Sequence, residues 1–268
     1  MKLYLQENLK QFFDASKPLF DQLMQLGGTC YRNQDGRMTQ RIQLGKKTYF
    51  IKQHRGVGWK EIFKNLLQFR LPILSAKNEW SAIQKLQQEE TVATPAVVGY
   101  GVRGFNPAKL ESFILMEELT PVISLEDLCK TWRDQPPSFQ FKQILIKSVA
   151  EIARKLHYHG INHRDFYICH FLLDANDPKY KQQDPLIYLI DLHRAAIRKK
   201  IPLRWIIKDL AGLLFSTQEI GLTKHDFYRF IKIYRQKPLK KILKTEMKFW
   251  QKVEKRGNTY CDRTKPSA

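Results

Sequence analysis

Two short runs of polar residues in the second half of the chain carry side chains that could do chemistry. His163, Arg164 and Asp165 follow a long apolar helical pattern, and His170 stands shortly after them. Asp191 ends a separate apolar run that is typical of a buried strand. A carboxylate can accept a proton from an attacking hydroxyl, and both carboxylate and imidazole groups can bind a divalent metal ion. Asp165, His170 and Asp191 are therefore candidates for proton transfer and metal binding.

The order of these residues resembles the catalytic loop and the metal-binding motif of the protein-kinase fold. His170 stands where the kinase loop H-R-D-x-x-x-x-N has its Asn, and Asp191 is not followed by Phe-Gly. The resemblance implies that Asp165 is the catalytic base and that Asp191 and His170 bind Mg²⁺. Imidazole can bind a divalent metal although Mg²⁺ prefers oxygen, so a structural hydrogen bond from His170 across the loop is the alternative.

The resemblance extends upstream to a lysine and a glutamate. Lys52 ends a strand-like run, and Glu79 lies in a helical pattern. In the kinase fold, such a lysine binds the α- and β-phosphates of ATP and such a glutamate holds the lysine in place. Phosphoryl transfer depends mostly on positioning and on neutralising phosphate charge, and this order of residues supplies both.

Five further residues are predicted to bind ATP. The segment from Ile114 to Leu119 is expected to connect two lobes and to contact the nucleotide. The Gly-rich loop of kinases is reduced here to one turn with a single glycine, so phosphate binding there would depend on an arginine and on loop amides. The residues concerned are Met116, Glu117 and Leu119 in the connection, and Gly36 and Arg37 in the loop.

Each candidate also has an ordinary structural interpretation. Asp165 could cap a helix or join a surface ion pair, and Asp191 could form a turn. Lys52 could be a solvated strand lysine, and Glu79 a solvated helix carboxylate. Asp209 resembles the helix aspartate that braces the catalytic-loop backbone in kinases, and we interpret it as structural.

The elements that must position these residues change in character along the chain. The first part predicts a helix over 5–26 interrupted at Pro18, a meander of three strands, and a helix over about 76–89. The meander contains Thr29–Asn33, Met38–Leu44 and Lys47–Gln53, and short strands follow at Val97–Gly99 and Ser112–Met116. The later part predicts a helix Leu125–Lys130 capped by Ser124, helices Phe141–His159, Leu203–Ser216 and about 224–256, and a strand Leu186–Leu192.

This distribution predicts an α+β protein with two unequal lobes. Residues 1–119 are predicted to form a small ATP-binding N-lobe with an antiparallel sheet, an N-terminal helix and a basic insert at 56–70. Residues 120–268 are predicted to form a larger, mainly helical C-lobe with the catalytic loop, the metal site and basic C-terminal helices. The fold expected from the motifs is the two-lobed protein-kinase-like fold.

Composition limits the class of protein. A hydrophobic content of 43% and an aromatic content of 12% are typical of a folded globular chain. No apolar run is long enough to span a membrane, and the N-terminus has no secretory pattern, so we expect a cytosolic protein. Four separated cysteines without a C-x-x-C pair indicate reduced thiols.

The chain carries a formal net charge of +20, which favours polyanionic partners. Segment 224–256 holds twelve lysines and arginines, three acidic residues and interleaved aromatics. It could lie on an anionic membrane, or it could be a solvated cationic face over core aromatics. Segment 56–70 is a second candidate for acceptor or membrane contact. No zinc-finger, RNA-binding or helix-turn-helix pattern supports a nucleic-acid partner.

Two longer motifs narrow the resemblance to one family. The segments His54–Leu66 and Arg70–Leu74, followed by Ala76 and Glu79, resemble the lipopolysaccharide core heptose(I) kinases of Gram-negative bacteria. Gly160–Leu173 is similar to the same family, which also carries His where protein kinases carry Asn. The resemblance covers residues from about 25 to 220.

The family resemblance implies a substrate and partners. The expected reaction is ATP-dependent phosphorylation of the first inner-core heptose at its 4-hydroxyl, on a nascent glycolipid at the cytoplasmic face of the inner membrane. The chain would then be cytoplasmic and peripheral to that membrane, and an acyl carrier protein is a further expected partner. The alternatives are another sugar or small-molecule kinase of this fold, of the Kdo kinase or aminoglycoside phosphotransferase type, and a catalytically weak scaffold for acidic partners.

Overall fold

The computed structural model describes residues 1–34, 36–67, 72–176, 180–181 and 183–264. The chain forms two compact units. The first contains Met1–Gln84 and Pro95–Leu119, and the second contains Lys85–Thr94 and Thr120–Ala268. The division of function between an ATP-binding lobe at 1–119 and a catalytic lobe at 120–268 stays a prediction.

The first unit contains a sheet of six antiparallel strands in the order β1-β5-β6-β4-β3-β2. The strands are β1 (Lys2–Leu5), β2 (Thr29–Gln34), β3 (Arg37–Leu44), β4 (Lys47–Arg55), β5 (Val97–Arg103) and β6 (Glu111–Glu117). The predicted meander is confirmed as β2, β3 and β4. Gly36 and Gly45 form its turns with φ of +71° and +62°, a conformation that glycine adopts without steric cost.

The predicted N-terminal helix over 5–26 is wrong over most of its length. Lys2–Leu5 pairs with β5, Glu7–Phe12 is a 3₁₀ helix, and the first α-helix, α1 (Leu19–Gln25), begins only after Pro18. Proline lacks a backbone N–H and disfavours helical geometry at the residue before it, so a helix starts after Pro18 rather than passing through it. The apolar periodicity instead reflects packing into the core of this unit.

Two more helices follow in the first half of the chain, α2 (Gly58–Leu67) and α3 (Lys77–Gln88). In α3, Trp80 stacks on Tyr100 of β5 with ring centroids 4.5 Å apart. Ile83 and Leu86 of the same helix are fully buried. These contacts fix the rotation of α3 and therefore the direction of Glu79.

Most apolar side chains of helix α2 lie outside the core. Ile62 is buried, whereas Trp59, Phe63, Leu66 and Leu67 are exposed by 50%, 56%, 47% and 81%. Asp35 and residues 68–71, including Arg70 and Leu71 of the motif Arg70–Leu74, lie outside the described residues.

The second unit is mainly helical. Its helices are α4 (Leu125–Cys129), α5 (Phe139–Tyr158), α6 (Leu203–Ser216), α7 (Lys224–Arg235) and α8 (Leu239–Thr264). Ser124 caps α4, as predicted, because its Oγ accepts the Asp127 amide at 3.0 Å. Gly160 follows α5 with φ of +74°. None of the helices in the described part of the chain combines the length and apolar character that crossing a bilayer requires.

Short strands complete this unit. β7 (Val122–Ser124), β9 (Phe171–Asp174) and β10 (Ile187–Leu189) form one antiparallel sheet, and β8 (Ile161–Asn162) pairs with β11 (Ala196–Ile197). The predicted strand Leu186–Leu192 is shorter than expected. It ends before Asp191, whose φ of +61° leaves the extended region and leads into a 3₁₀ helix.

The aromatic residues of α7 and α8 belong to the core. Tyr234 and Trp250 are buried, with ring centroids 6.0 Å apart, and Phe227, Tyr228, Phe230 and Phe249 are half-buried. The structure therefore agrees with a cationic face over core aromatics in this segment. A cavity of about 690 Å³ lies in this unit, and its apolar lining includes Leu145, Val149, Leu213, Ile231 and Trp250.

Candidate active site

The predicted catalytic loop is tied to the segment of Asp191 by a buried histidine. His163 is fully buried, and its Nε2 lies 3.0 Å from the carbonyl oxygen of Ile190. A carbonyl only accepts hydrogen bonds, so Nε2 carries the proton. Burial lowers the pKa of His163, which keeps the ring neutral. The first residue of the motif thus sets the distance between the loop and Asp191.

Asp209 braces the loop backbone, as predicted. Its Oδ2 accepts the amide of His163 and its Oδ1 accepts the amide of Arg164, both at 2.7 Å. Arg164 has φ of +74°, a strained conformation for a residue with a side chain. The two hydrogen bonds from α6 hold that conformation and direct the next residue, Asp165.

The carboxylate of Asp165 faces two cations of its own unit. Nη1 of Arg194 lies 2.8 Å from its Oδ1 and 3.1 Å from its Oδ2, and Nζ of Lys208 lies 3.9 Å from Oδ1. The side chain of Asp165 keeps 15% of its surface exposed. The motifs in the sequence did not identify either cation. Arg194 stands shortly after Asp191 and Lys208 directly before Asp209, and these positions are the features of the sequence that could have indicated them.

His170 and Asp191 come together, as the predicted metal site requires. Nδ1 of His170 lies 2.7 Å from the backbone oxygen of Asp165, so Nδ1 donates, and in the neutral ring Nε2 keeps its lone pair. Nε2 lies 3.6 Å from Oδ2 of Asp191, and the other carboxylate oxygen lies 2.6 Å from Nδ1 of His193. The two interpretations of His170 are therefore compatible, because the structural hydrogen bond uses the other nitrogen.

These two side chains fit a metal ion that is shared with a substrate. Within the described ranges, no group of three or more His, Cys, Asp and Glu side chains could hold a metal ion. Mg²⁺ is usually bound by one or two carboxylates together with substrate phosphates and water. A carboxylate with an adjacent imidazole nitrogen suits that mode of binding.

The first unit brings Lys52 and Glu79 together. Nζ of Lys52, on β4, lies 2.7 Å from Oε1 of Glu79, on α3. The lysine side chain is 18% exposed and the glutamate side chain 2% exposed. The alternative of a solvated helix carboxylate is therefore wrong for Glu79. The two residues form a largely buried ion pair that holds the ammonium in one place.

The remaining predicted ATP-binding residues lie on two strands of the same sheet and next to their ends. Gly36 is exposed in the turn before β3, and Arg37 begins β3. Met116 is buried near the end of β6, Glu117 ends β6 with an ion pair to Lys47 at 3.0 Å, and Leu119 follows half-buried. Their roles in ATP binding stay predictions.

Comparison with known proteins assigns the chain to a family. The model of the lipopolysaccharide kinase (Kdo/WaaP) family matches residues 21–234. The chain is 43% identical to the lipopolysaccharide core heptose(I) kinase WaaP of Pseudomonas aeruginosa, over 98% of this chain and 97% of that protein. It is 46% identical to the WaaP of Escherichia coli K12, over 92% of this chain and 93% of that protein.

A solved structure agrees. A structure of WaaP in complex with acyl carrier protein matches with a TM-score of 0.84 and 38% identity, over 97% of this chain and 99% of that one. The predicted α+β, kinase-like fold is confirmed by this match. The chain, with its braced catalytic loop and its buried Lys52–Glu79 pair, belongs to the lipopolysaccharide kinase (Kdo/WaaP) family.

Proposed function

We propose that this chain is an ATP-dependent kinase that phosphorylates heptose I of the lipopolysaccharide inner core, at the 4-hydroxyl. The observation that carries the proposal is the nearly full-length similarity to two heptose(I) kinases, at 43% and 46% identity. The family match spans Lys52, Asp165, His170 and Asp191 together. The choice of the 4-hydroxyl depends on the motif resemblance of Gly160–Leu173.

Asp165 is the proposed catalytic base. Its carboxylate would accept the proton of the sugar hydroxyl and orient the oxygen for attack on the γ-phosphorus. Asp209 and His163 hold the loop that carries it. Arg194 fixes the carboxylate through its two oxygens. The base is thus positioned before an acceptor binds, which reduces the ordering that the reaction requires.

Lys52 is proposed to bind the α- and β-phosphates of ATP, while the carboxylate of Glu79 holds its ammonium. Asp191 and His170 are the proposed ligands of Mg²⁺, which when bound neutralises phosphate charge. Gly36 and Arg37 would contact phosphates, and the β6 end with Leu119 would contact the nucleotide base.

The proposed acceptor is a nascent core glycolipid at the cytoplasmic face of the inner membrane of a Gram-negative cell, with the chain bound peripherally. Helix α2 supports this, because Trp59, Phe63, Leu66 and Leu67 are exposed and Lys60 and Lys64 lie on the same helix. Exposed apolar residues beside cations are typical of helices that lie on anionic membranes. Binding to vesicles containing anionic lipid, lost when Phe63 and Leu67 are both replaced by Ser, would test the location.

An acyl carrier protein is the proposed protein partner. The matched WaaP structure contains one. The apolar cavity of the second unit offers a place for an acyl chain carried by such a partner. Native mass spectrometry with acylated and unacylated carrier protein would test this proposal, and we expect a complex only with the acylated form.

The test of the reaction is transfer of labelled γ-phosphate from Mg²⁺-ATP to unphosphorylated core glycolipid, with mass spectrometry to locate the phosphate. We expect phosphate on heptose I. Asp165→Asn should lower turnover at least about 10²-fold and keep the thermal unfolding midpoint. Asp184→Asn, at a surface ion pair with Lys147, is the matched control and should be active. Phosphate on a sugar acid instead of heptose would indicate the Kdo kinase alternative, and undiminished transfer by Asp165→Asn would exclude the proposed base.

A further inference from the structure

One tryptophan of the second unit is surrounded by cationic side chains. Trp205 is half-buried in the first turn of α6. The guanidinium carbons of Arg164, Arg204 and Arg198 lie 4.6 Å, 5.3 Å and 5.9 Å from the centroid of its ring, and Nζ of Lys208 lies 5.9 Å away. We call these four side chains and Trp205 the Trp205 cluster. Its members come from the catalytic loop, from the segment after β11 and from α6.

The Trp205 cluster lies beside the proposed catalytic base. Arg164 directly precedes Asp165 in the loop, and Nζ of Lys208 is 3.9 Å from Oδ1 of Asp165. A sugar hydroxyl that gives its proton to Asp165 must lie within hydrogen-bond reach of that carboxylate. Whatever is attached to the reacting sugar is therefore close to the cluster.

The positive charge of the cluster is poorly compensated. Both oxygens of Asp165 already bond Arg194, and the two oxygens of Asp209 each accept a backbone amide. Among the residues that the structure describes, no carboxylate oxygen lies within 4 Å of a guanidinium nitrogen of Arg164, Arg198 or Arg204. The guanidinium of Arg198 donates a hydrogen bond to the uncharged Oδ1 of Asn162.

The pKa values of two members of the Trp205 cluster reflect this surplus of positive charge. Burial, followed by repulsion from Arg198 and Arg194, lowers the pKa of Arg164. Burial, followed by repulsion from Arg194, lowers the pKa of Lys208 to about 8. Cations held together at this cost raise the local concentration of anions and gain stability when one binds.

We propose that the Trp205 cluster binds an anionic group, a carboxylate or a phosphate, that the acceptor carries on the sugar next to the phosphorylated one. Guanidinium groups bind such oxyanions in bidentate geometry, and stacking on an indole face restricts their orientation. The proposal rests on the proposed sugar-kinase function, and it adds what selects the acceptor. The reacting hydroxyl alone would not distinguish one sugar from another.

The test compares three soluble acceptors made from the deacylated, heptose-containing core glycan. One is the native glycan, one has its carboxylates reduced to alcohols, and one has been treated with phosphatase. Steady-state kinetics gives kcat, the KM for each acceptor and the KM for ATP. A higher KM for the carboxylate-reduced acceptor identifies a carboxylate as the bound group, and a higher KM for the phosphatase-treated acceptor identifies a phosphate.

The variant is Arg198→Gln/Arg204→Gln, in which the amide that replaces the Arg198 guanidinium can still bond Asn162. Arg204 is exposed, so the single change Arg204→Gln serves as a second variant that keeps the fold. The control is Arg133→Gln/Arg154→Gln, which removes the same charge from the same unit without touching the cluster. Arg133 is exposed, and Arg154 stacks on Tyr158, at 5.8 Å.

We expect the double variant to raise the KM for the native acceptor about 100-fold and Arg204→Gln about 10-fold, since each removes one charge-assisted contact. The KM for ATP and kcat at saturating acceptor should change less than about twofold, as in the control. For wild-type protein, either the carboxylate-reduced or the phosphatase-treated acceptor should have a KM as high as the native acceptor has for the double variant. With the double variant, the KM for that modified acceptor should equal the KM for the native acceptor, because the change in the acceptor and the change in the protein remove the same contact.

Three results would overturn the proposal: equal KM values for all three acceptors, a rise in the KM for ATP with the KM for the acceptor unchanged, or loss of carrier-protein binding with normal acceptor kinetics. The second would make the cluster a nucleotide site and the third a protein-docking site.

If wild-type protein phosphorylates none of the glycans, the proposed function fails. Calorimetric binding of the native glycan without ATP then decides the inference separately, since binding that the double variant lacks supports it and equal or absent binding contradicts it.

Discussion

The guanidinium of Arg194 contacts both carboxylate oxygens of Asp165, at 2.8 Å and 3.1 Å. Arg194 is carried by the 3₁₀ helix that follows Asp191, so the segment of the proposed metal ligand also holds the proposed base. A displacement of the Asp191 segment would therefore move Asp165 as well. The proposed proton transfer and the proposed metal binding would thus be coupled through one ion pair.

Replacing Arg194 should lower turnover without weakening ATP binding. Arg194→Gln leaves Lys208 as the remaining cation at Asp165 in the described structure. The carboxylate of Asp165 is then held less firmly, and a displacement of about 1 Å can lower the reaction rate 10-fold to 100-fold. We expect kcat to fall by that factor while the KM for ATP stays unchanged. Arg194→Lys should restore part of the loss, because it restores one charged contact. A variant with wild-type kcat would contradict a positioning role.

Variants of the Lys52–Glu79 pair can distinguish an effect on ATP binding from an effect on the stability of the fold. Lys52→Met leaves the carboxylate of Glu79 buried without its cation, which should destabilise the fold by about 3 kcal/mol and abolish ATP binding. Lys52→Met/Glu79→Leu removes both charges and should recover most of the stability but none of the binding. Thermal unfolding and calorimetric titration with ATP measure the two effects. ATP binding by the double variant at wild-type affinity would exclude Lys52 as the phosphate ligand.

His170 can be tested through the concentration of Mg²⁺ that the enzyme requires. His170→Ala removes the nitrogen that faces Asp191, and the Mg²⁺ concentration for half-maximal rate should rise at least about 10-fold. His170→Asn offers an amide oxygen, which Mg²⁺ prefers, and should lie closer to wild type.

The matched control is His159→Asn, at a surface pair with Glu89. If both His170 variants lose only thermal stability and keep the wild-type Mg²⁺ requirement, the histidine is a structural residue of the loop.

Lys208 should make stability depend on alkaline pH. Burial lowers its pKa to about 8 from the ordinary 10.5. Between these values the unfolded chain holds a proton that the folded chain lacks, so the free energy of unfolding rises with pH across this window. Lys208→Met removes the effect.

The variant should therefore gain stability relative to wild type below pH 8, and the gain should shrink towards pH 10.5. Urea unfolding of both proteins at several pH values measures the difference, in which the other titrating groups cancel. A difference that does not change with pH would contradict the lowered pKa of Lys208.

Local patterns in the sequence were sufficient for the elements that carry the site. The hairpin glycines Gly36 and Gly45 and the bounds of α6 express short-range rules of turns and helical periodicity. They could be predicted because each depends on residues that are close in the chain. The His163-Arg164-Asp165 motif was recognised through its resemblance to the kinase catalytic loop. Helical periodicity gave a wrong prediction over 5–26. The apolar residues there are buried against the sheet, but they belong to a strand, a 3₁₀ helix and a short α-helix instead of one continuous helix.

The tertiary structure alone decided which cations meet Asp165. The pair Lys52–Glu79 was expected from the kinase resemblance, and the structure confirms that the two side chains meet. The pair Asp165–Arg194 was not expected, because nothing in the local sequence distinguishes Arg194 from the many other cations of a chain with a net charge of +20. Folding selects among these cations by burial. An ion pair removed from water is kept only where packing holds both partners, and packing is a property of the whole unit. The sequence alone thus predicted the reaction class, which the family supports, and the proposed base, Asp165, while the tertiary structure decided which cations surround that carboxylate.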